Sequence, residues 1–404
     1  MDANGLEKIL KDYEKPLRKT GGRRIDSAEL NCELPLFYFA ITGGTEKLIL
    51  NLLEERGKAA PGEPVLLIAH PSNNSLPACL ETLARLQQDG KQGRIFYLQE
   101  EEEESDYKAI KKTTKDLSVY NALQNSKLGV LGAPSDWLVA SSPSAEIVKK
   151  RWGVELVNID FSEVWNSLKT PDNNELIKHK TLLRKEADKI TEPSENDVKN
   201  SVKIYLAFKS VIDKYKLDAV TVRCFDLVSG MEATGCYGLS ELTDEGIIAG
   251  CEGDIVSAVT MLWVNKLLGK TPWMANPARV DKVGNSLVLA HCTVPKSLLS
   301  NYKLRSHFES GKGLAIQGAL PKGKVTLIRT GGRNLDKLWI AEGEITSSGN
   351  SENLCRTQVS IKLTDGGTVK DLLLSPLGNH IVLVYGRHLK RLNSWRNNIK
   401  LFFG

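Results

Sequence analysis

A switch in hydrophobic period near Gly269 constrains the fold of this 404-residue chain more than any other feature. Upstream of it, short apolar runs lead through small or polar turns into helix-length amphipathic segments. Leu36–Ile41 runs into Thr42-Gly43-Gly44-Thr45 and then EKLILNLLEER, and Pro64–Ala69 ends in His70-Pro71-Ser72-Asn73-Asn74-Ser75 ahead of ACLETLARLQQDG; Arg94–Leu98 follows. The pattern restarts at Lys127, with Leu128–Gly132 leading to APSDWLVAS, then the helical segment SAEIVKKRW behind a serine cap, then Val154–Ile159. A charged helical stretch follows, clearest in NDVKNSVKIYLAFKSVIDKY, before Ala219–Phe225 and Gly246–Gly250 return to apolar strands. Strand, loop and helix recurring in this way predict parallel, doubly wound sheets. Downstream, Asn285–His291, Gly313–Ala319, Lys324–Arg329, Leu338–Ile345, Thr357–Leu363 and His380–Gly386 are short strands separated by turns. They predict a mostly antiparallel, barrel-like C-terminal region.

The chain is longer than one ordinary core, so more than one domain is expected. A net charge of +5 with no clustered basic stripe gives no case for a nucleic-acid partner. No apolar run is long enough to span a bilayer and the N-terminus MDANGLEKILKDYEK is charged rather than signal-like, so a cytoplasmic protein with no membrane partner is expected. The seven cysteines are odd in number, scattered and without CxxC spacing, which predicts buried thiols rather than disulfides or a zinc knuckle. The acidic run Glu100–Glu104 reads as a solvated loop.

Chemistry concentrates in GIIAGCEGDIVSAVTMLW, PWMANPARVD and NSLVLAHCTVP, together with the distant PLGNHIVLVYG. Ile255, Ala258, Val259, Leu262, Trp263 and Leu267 recur at helical spacing, so Cys251–Asp254 lies between the carboxyl end of a strand and the start of a helix. Open α/β sheets place ligands there. Glu252, Asn276, His291 and His380 stand out in these segments. Imidazole and carboxylate are good ligands for Mn²⁺, Zn²⁺ or Fe²⁺, and an amide oxygen can add a weak one. Taken singly, each has a plainer reading. Glu252 and Asp254 suit the positive end of a helix, His291 shares a strand face with Leu287 and Leu289 as a core histidine, and His380 caps a turn. His70 and Asn74, in a strand-to-helix loop, and Trp137, beside Asp136, stand where ligands bind, but turn chemistry and packing also explain them. Arg356 has a planar fork suited to a carboxylate, sulfonate or phosphate on a substrate, or equally to an internal ion pair. Arg305, His307 and Glu309 share one face if they alternate on a strand.

The segments CEGDIVSAVTMLW, WMANPARVD, NSLVLAHCTVP, YKLRSHFESGKG, NLCRTQV and PLGNHIVLVYG resemble, in the same order, those of the L-fucose/L-arabinose isomerase superfamily, nearest to its compact fucose isomerase-like proteins of archaea and bacteria. The likeness is dense from about Val222 to His388 and thinner at ITGGTEK, HPSNNSLPACLE and GAPSDW. It implies an N-terminal Rossmann-like domain over residues 1–126, a second one carrying Glu252 over 127–269, and a β-rich domain over 270–404. It also implies a divalent metal, usually Mn²⁺, a sugar substrate interconverted between aldose and ketose through an enediol, and a homo-oligomer. Under it Glu252 falls on a metal ligand that also serves as acid and base, and His380 on the C-terminal metal histidine. His291 falls on a histidine that ligates metal in the arabinose branch, and Arg356 lies in a motif near a strand start.

Asn276 departs from the pattern, because fucose isomerases carry an aspartate there that binds metal and shares the proton transfer. An amide can coordinate but cannot titrate in the useful range. Moving a proton between adjacent sugar carbons needs a base near neutral pH and an electrophile for the enediolate oxygen. Glu252 can be the base, and the relay between the oxygens then falls to water, Asp254 or His291. A lyase on the same scaffold, or a sugar-binding or regulatory protein that has lost a catalytic carboxylate, are the alternatives to an isomerase.

Overall fold

The computed structural model describes residues 3–32, 34–60, 62–99 and 104–403. Of the acidic run, residues 100–103 lie outside the described residues and Glu104 opens the helix Glu104–Gln124. The chain divides into two compact units, one of Met1–Asn121 with Arg391–Gly404, the other of Ala122–Lys390.

The first unit holds a three-stranded parallel sheet of β1 (Tyr38–Phe39), β2 (Val65–Ala69) and β3 (Gly93–Tyr97), in that order. All of β2 is buried, as expected for a central parallel strand covered on both faces. The C-terminal helix Leu389–Phe403 closes onto this unit, where Trp395 Nε1 donates to the Asp116 carbonyl at 3.1 Å and Asn398 Nδ2 to its carboxylate at 2.6 Å.

The second unit opens with β4 (Lys127–Leu131) and β5 (Glu155–Ile159), passes the two-residue β6 (Lys189–Ile190), and continues with β7 (Ala219–Val222) and β8 (Ile248–Cys251). β5, β4, β7 and β8 form a wholly parallel sheet in that order. The remaining strands are β9 (Trp273–Asp281), β10 (Ser286–His291), β11 (Asn301–Arg305), β12 (Ala315–Ala319), β13 (Lys324–Gly331), β14 (Lys337–Gly349), β15 (Thr357–Gly366) and β16 (Ile381–Tyr385). Six of them close an antiparallel barrel in the order β10-β15-β14-β13-β16-β9, and β12, β11 and β6 make a small separate sheet. The fold is therefore α/β with parallel sheets followed by an antiparallel barrel, as the change of period near Gly269 implies. Two strands differ from expectation. PWMANPARVD forms β9, and Arg305 ends β11, so His307 and Glu309 lie in the turn beyond it rather than on one strand face.

Helix Ile255–Leu268 joins the two layers. Its residues from Ile255 to Val264 are all buried, not only those at helical spacing, and Trp263 is wholly inaccessible. A helix apolar all round belongs inside a protein, and this one packs on β4, β7 and β8 on one side and on β9, β13 and β16 on the other. Each large apolar side chain it buries contributes about 1.5–3 kcal/mol relative to exposure.

Between β8 and this helix the chain reverses through two left-handed residues, Glu252 at φ 62° and Gly253 at φ 74°. Left-handed backbone costs an ordinary side chain roughly 1–2 kcal/mol, so Glu252 is held there by its surroundings. The turn is clamped by the loop after β4 and by the end of β7: Ser135 N donates to the Glu252 carbonyl at 2.9 Å, and Gly253 N donates to the Val222 carbonyl at 3.0 Å. A Cβ on Gly253 would stand 2.7 Å from both Ala133 O and Pro134 Cα. Gly253→Ala is thus expected to lower the stability of the folded protein by about 2 kcal/mol or more in denaturant unfolding, through positive φ and backbone collision together. A loss below about 0.5 kcal/mol would mean that this turn is not tightly packed.

Candidate metal centre

The barrel register brings the three strongest candidates to one end. Ala290 pairs with Asn276 and Ile381 with Ala275, so the end of β10 and the start of β16 flank the same point on β9. His291 closes β10, His380 directly precedes β16, and the turn after β8 delivers Glu252 to them. One potential ligand atom from each of Glu252, His291 and His380 lies within 4.8 Å of the others. The two imidazole rings meet edge to face with centroids 5.5 Å apart.

His380 is fully buried, and its two nitrogens have different surroundings. Nδ1 lies 2.8 Å from Asp254 Oδ2, a carboxylate as inaccessible as the ring itself. Nε2 faces Glu252 Oε1 at 3.5 Å, too far for a good hydrogen bond, and has no hydrogen-bond partner among the described residues. A carboxylate on one imidazole nitrogen fixes the tautomer that offers the other to a metal. A buried Nε2 left open toward a carboxylate and a second histidine is what a divalent cation would satisfy. His291 is buried too, with the Thr293 hydroxyl 2.9 Å from its Nδ1.

Asp254 is anchored from every side. Oδ1 caps the helix by accepting from Ser257 N at 2.7 Å, and Oδ2 accepts from Ser257 Oγ at 2.8 Å. Arg329, almost wholly buried, lies 3.4 Å from Oδ2 and donates at 2.6 Å to Ser257 Oγ and to Ser141 Oγ. Its Nε also donates to the Leu377 carbonyl at 3.2 Å. Gly378, at φ 143°, makes room for that guanidinium, since a Cβ there would fall 1.9 Å from Nη2.

The charges follow from these contacts. For His380, burial alone would push the imidazole down, but the Asp254 and Glu252 carboxylates override it and raise it to about 9. His291, desolvated and beside a cationic His380, falls to about 4 and is neutral. Burial would raise Glu252, yet His380, His291 and the Trp137 indole together bring it to about 2. Burial would raise Asp254 as well, and Arg329 and His380 hold it well below the usual carboxylate range.

The other candidates are placed as follows. Trp137 joins the cluster: its Nε1 donates to Glu252 Oε2 at 2.6 Å. Asn276 lies on β9 at the register point between the two histidine strands, and no hydrogen bond among the described residues engages its side chain. Arg356 is buried in internal contacts, with Nε donating to Ser306 O at 2.8 Å and Nη1 to Glu352 Oε2 at 2.9 Å. His70 and Asn74 belong to the first unit. There His70 Nε2 lies 2.9 Å from Ile41 O, and Asn74 precedes the helix Ser75–Gln88 in left-handed backbone. In the same unit the Gly43 amide donates to the Asn73 carbonyl at 2.7 Å. Sequence reasoning misses Arg329 altogether and sees Asp254 as a helix cap or proton relay. The available signal for Arg329 is an arginine inside the apolar strand KVTLIRTG.

No protein-family model matches the chain. It is 25% identical over 296 residues to a protein named sulfoquinovose isomerase from Priestia megaterium, covering 70% of this chain and 65% of that one. A sulfoquinovose isomerase from a Clostridium species is 24% identical over 299 residues, covering 68% and 66%. Another from Alkalicoccus urumqiensis is 26% identical over 193 residues, covering 46% and 44%. The alignment thus spans slightly less than two thirds of the Priestia protein's length.

The raised His380 sets a pH signature. A folded-state value of about 9 against about 6.5 in the unfolded chain gives stability that is present below the unfolded value and lost as pH rises through the folded one. A cation needs the neutral ring and competes with that proton. In chelator-treated protein, the rise in thermal midpoint on adding Mn²⁺ should therefore grow between about pH 7 and 9 and level off above. A rise that is constant or shrinks across this window would contradict the ligand set.

Proposed function

We propose that this chain is a metal-dependent aldose–ketose isomerase acting on a sulfosugar or related small sugar derivative through an enediol, on the scaffold of the L-fucose/L-arabinose isomerase superfamily. The observation that carries the reading is the open, buried Nε2 of His380 facing Glu252 beside His291. The named activity of the relatives supports the same reaction class. Glu252, His291 and His380 would hold the ion, with the Asn276 amide beside them as a weak fourth donor, and Mn²⁺ suits this mixed nitrogen and oxygen set. A bound divalent ion would supply an electrophile that draws off the negative charge developing on the sugar oxygens.

The residues of the chain supply the rest. Glu252 carries the proton between the two adjacent carbons of the sugar. Burial pulls its carboxyl up and the cationic His380 pulls it down, so loss of the His380 proton removes the strongest influence that holds Glu252 at about 2. Asp254 is committed to Ser257, His380 and Arg329, so it orients His380 and does not relay protons. With an amide at position 276, Glu252 is the only carboxylate of the ligand set. Proton transfer between the sugar oxygens then falls to water. Arg356 is the proposed substrate contact within this unit, and the protein is proposed to act as a cytoplasmic homo-oligomer.

Incubating the Mn²⁺-supplemented protein with sulfoquinovose and a panel of aldoses in D₂O tests this. The expected result is a ketose product and deuterium at C1 or C2 without carbon–carbon cleavage. Glu252→Gln should lower turnover by at least about 10³-fold while the protein stays folded. Cleavage products would show a lyase instead. Full exchange by the Glu252→Gln protein would remove the assigned base.

A further inference from the structure

Trp137 is half exposed, at 51% of its surface, yet its indole N–H makes a 2.6 Å hydrogen bond to Glu252 Oε2. The opposite oxygen, Oε1, faces His380 Nε2. The two carboxylate oxygens are therefore divided between a donor that cannot accept and a ring nitrogen left open. An indole has no acceptor atom and does not titrate, so it can hold one oxygen only as a fixed donor. The loop that carries it is fixed to the same turn. Ser135 N binds the Glu252 carbonyl, Arg223 Nη1 donates to the Pro134 carbonyl at 3.0 Å, and Arg329 reaches Ser141 beyond. The Trp137 ring stands edge-on to Phe225 with centroids 5.1 Å apart, which sets its tilt.

Glu252 needs such a support. Its backbone is left-handed, and among the described residues the only hydrogen bond to its side chain comes from Trp137. Without that bond, the longer 3.5 Å approach of His380 Nε2 to Oε1 is what remains to orient the carboxylate.

We propose that Trp137 is a positioning residue, whose indole N–H pins Glu252 Oε2 so that Oε1 alone is presented to the metal. This rests on Glu252 being a metal ligand. It assigns Trp137 a task distinct from contact with the sugar.

Two measurements test it. In the full chain labelled with ¹⁵N, the Trp137 indole resonance is identified by its absence in Trp137→Phe or Trp137→Tyr. It should move upfield in Glu252→Gln, where the donor loses a charged acceptor; no change would overturn the hydrogen bond itself. The second measurement is Mn²⁺ affinity in a double-mutant cycle. Trp137→Phe should weaken Mn²⁺ binding by about tenfold in the wild-type background, as outer-shell partners do, and by less than about twofold in Glu252→Gln. An equal loss in both backgrounds would show a merely structural role and overturn the inference. Mn²⁺ binding untouched by Trp137→Phe would overturn it while leaving the proposed function standing. A wild-type protein that binds no Mn²⁺ would overturn the proposed function and this role together, with the indole shift still reporting the bond.

Discussion

The buried pair of Asp254 and His380 is the interaction on which the rest of this site depends. One carboxylate caps a helix, accepts from a serine, faces an arginine and holds an imidazole, all without access to water. Removing one partner from a buried charged set commonly costs about 3–5 kcal/mol, because the others are left uncompensated. The set also ties together layers of the second unit that are far apart along the chain. Asp254 begins the helix that follows the parallel sheet, His380 precedes a barrel strand, and Arg329 lies on another. The orientation of His380 is therefore inherited from the packing of the whole unit rather than from its own loop.

That packing explains why the carboxyl end of β8 is so constrained. Helix Ile255–Leu268 is buried against both the sheet and the barrel, so its first turn has no freedom to move. The left-handed pair Glu252 and Gly253 is the consequence: the chain must reverse within two residues to pass from strand to buried helix. A glutamate in that conformation is a local expense that the surrounding hydrogen bonds offset, and such strain concentrates at functional positions. The same reversal points the Glu252 side chain at two histidines from the barrel.

Much of this is legible in the residues. The change of period at Gly269 announces parallel sheets followed by a barrel; Glu252, His291 and His380 stand out by residue type, but it is the resemblance to the isomerase superfamily, not their spacing, that implies metal ligands. What the sequence conceals are the contacts that cross elements. Asp254 reads as a helix cap because its local role is visible, whereas its bond to His380 spans 126 positions. Arg329 resembles any strand residue until Gly378, with its missing Cβ, is seen to make space for it. The helix Ile255–Leu268 displays an amphipathic spacing, but being covered on two sides it buries the other positions as well. Trp137 reads as a candidate for the sugar, and its bond to Glu252 is a contact that the sequence does not display. Arg356, readable as a substrate fork or an internal ion pair, has its guanidinium bonded to Ser306 and Glu352.

The proposed metal centre joins two imidazoles and one carboxylate at the barrel end. Pulsed electron paramagnetic resonance of the Mn²⁺-loaded protein tests it most directly, because directly bound ¹⁴N nuclei modulate the echo. Two coordinated imidazole nitrogens are expected in the wild type and one in His380→Gln. Bound Mn²⁺ with oxygen ligands alone, unaltered by that substitution, would contradict it.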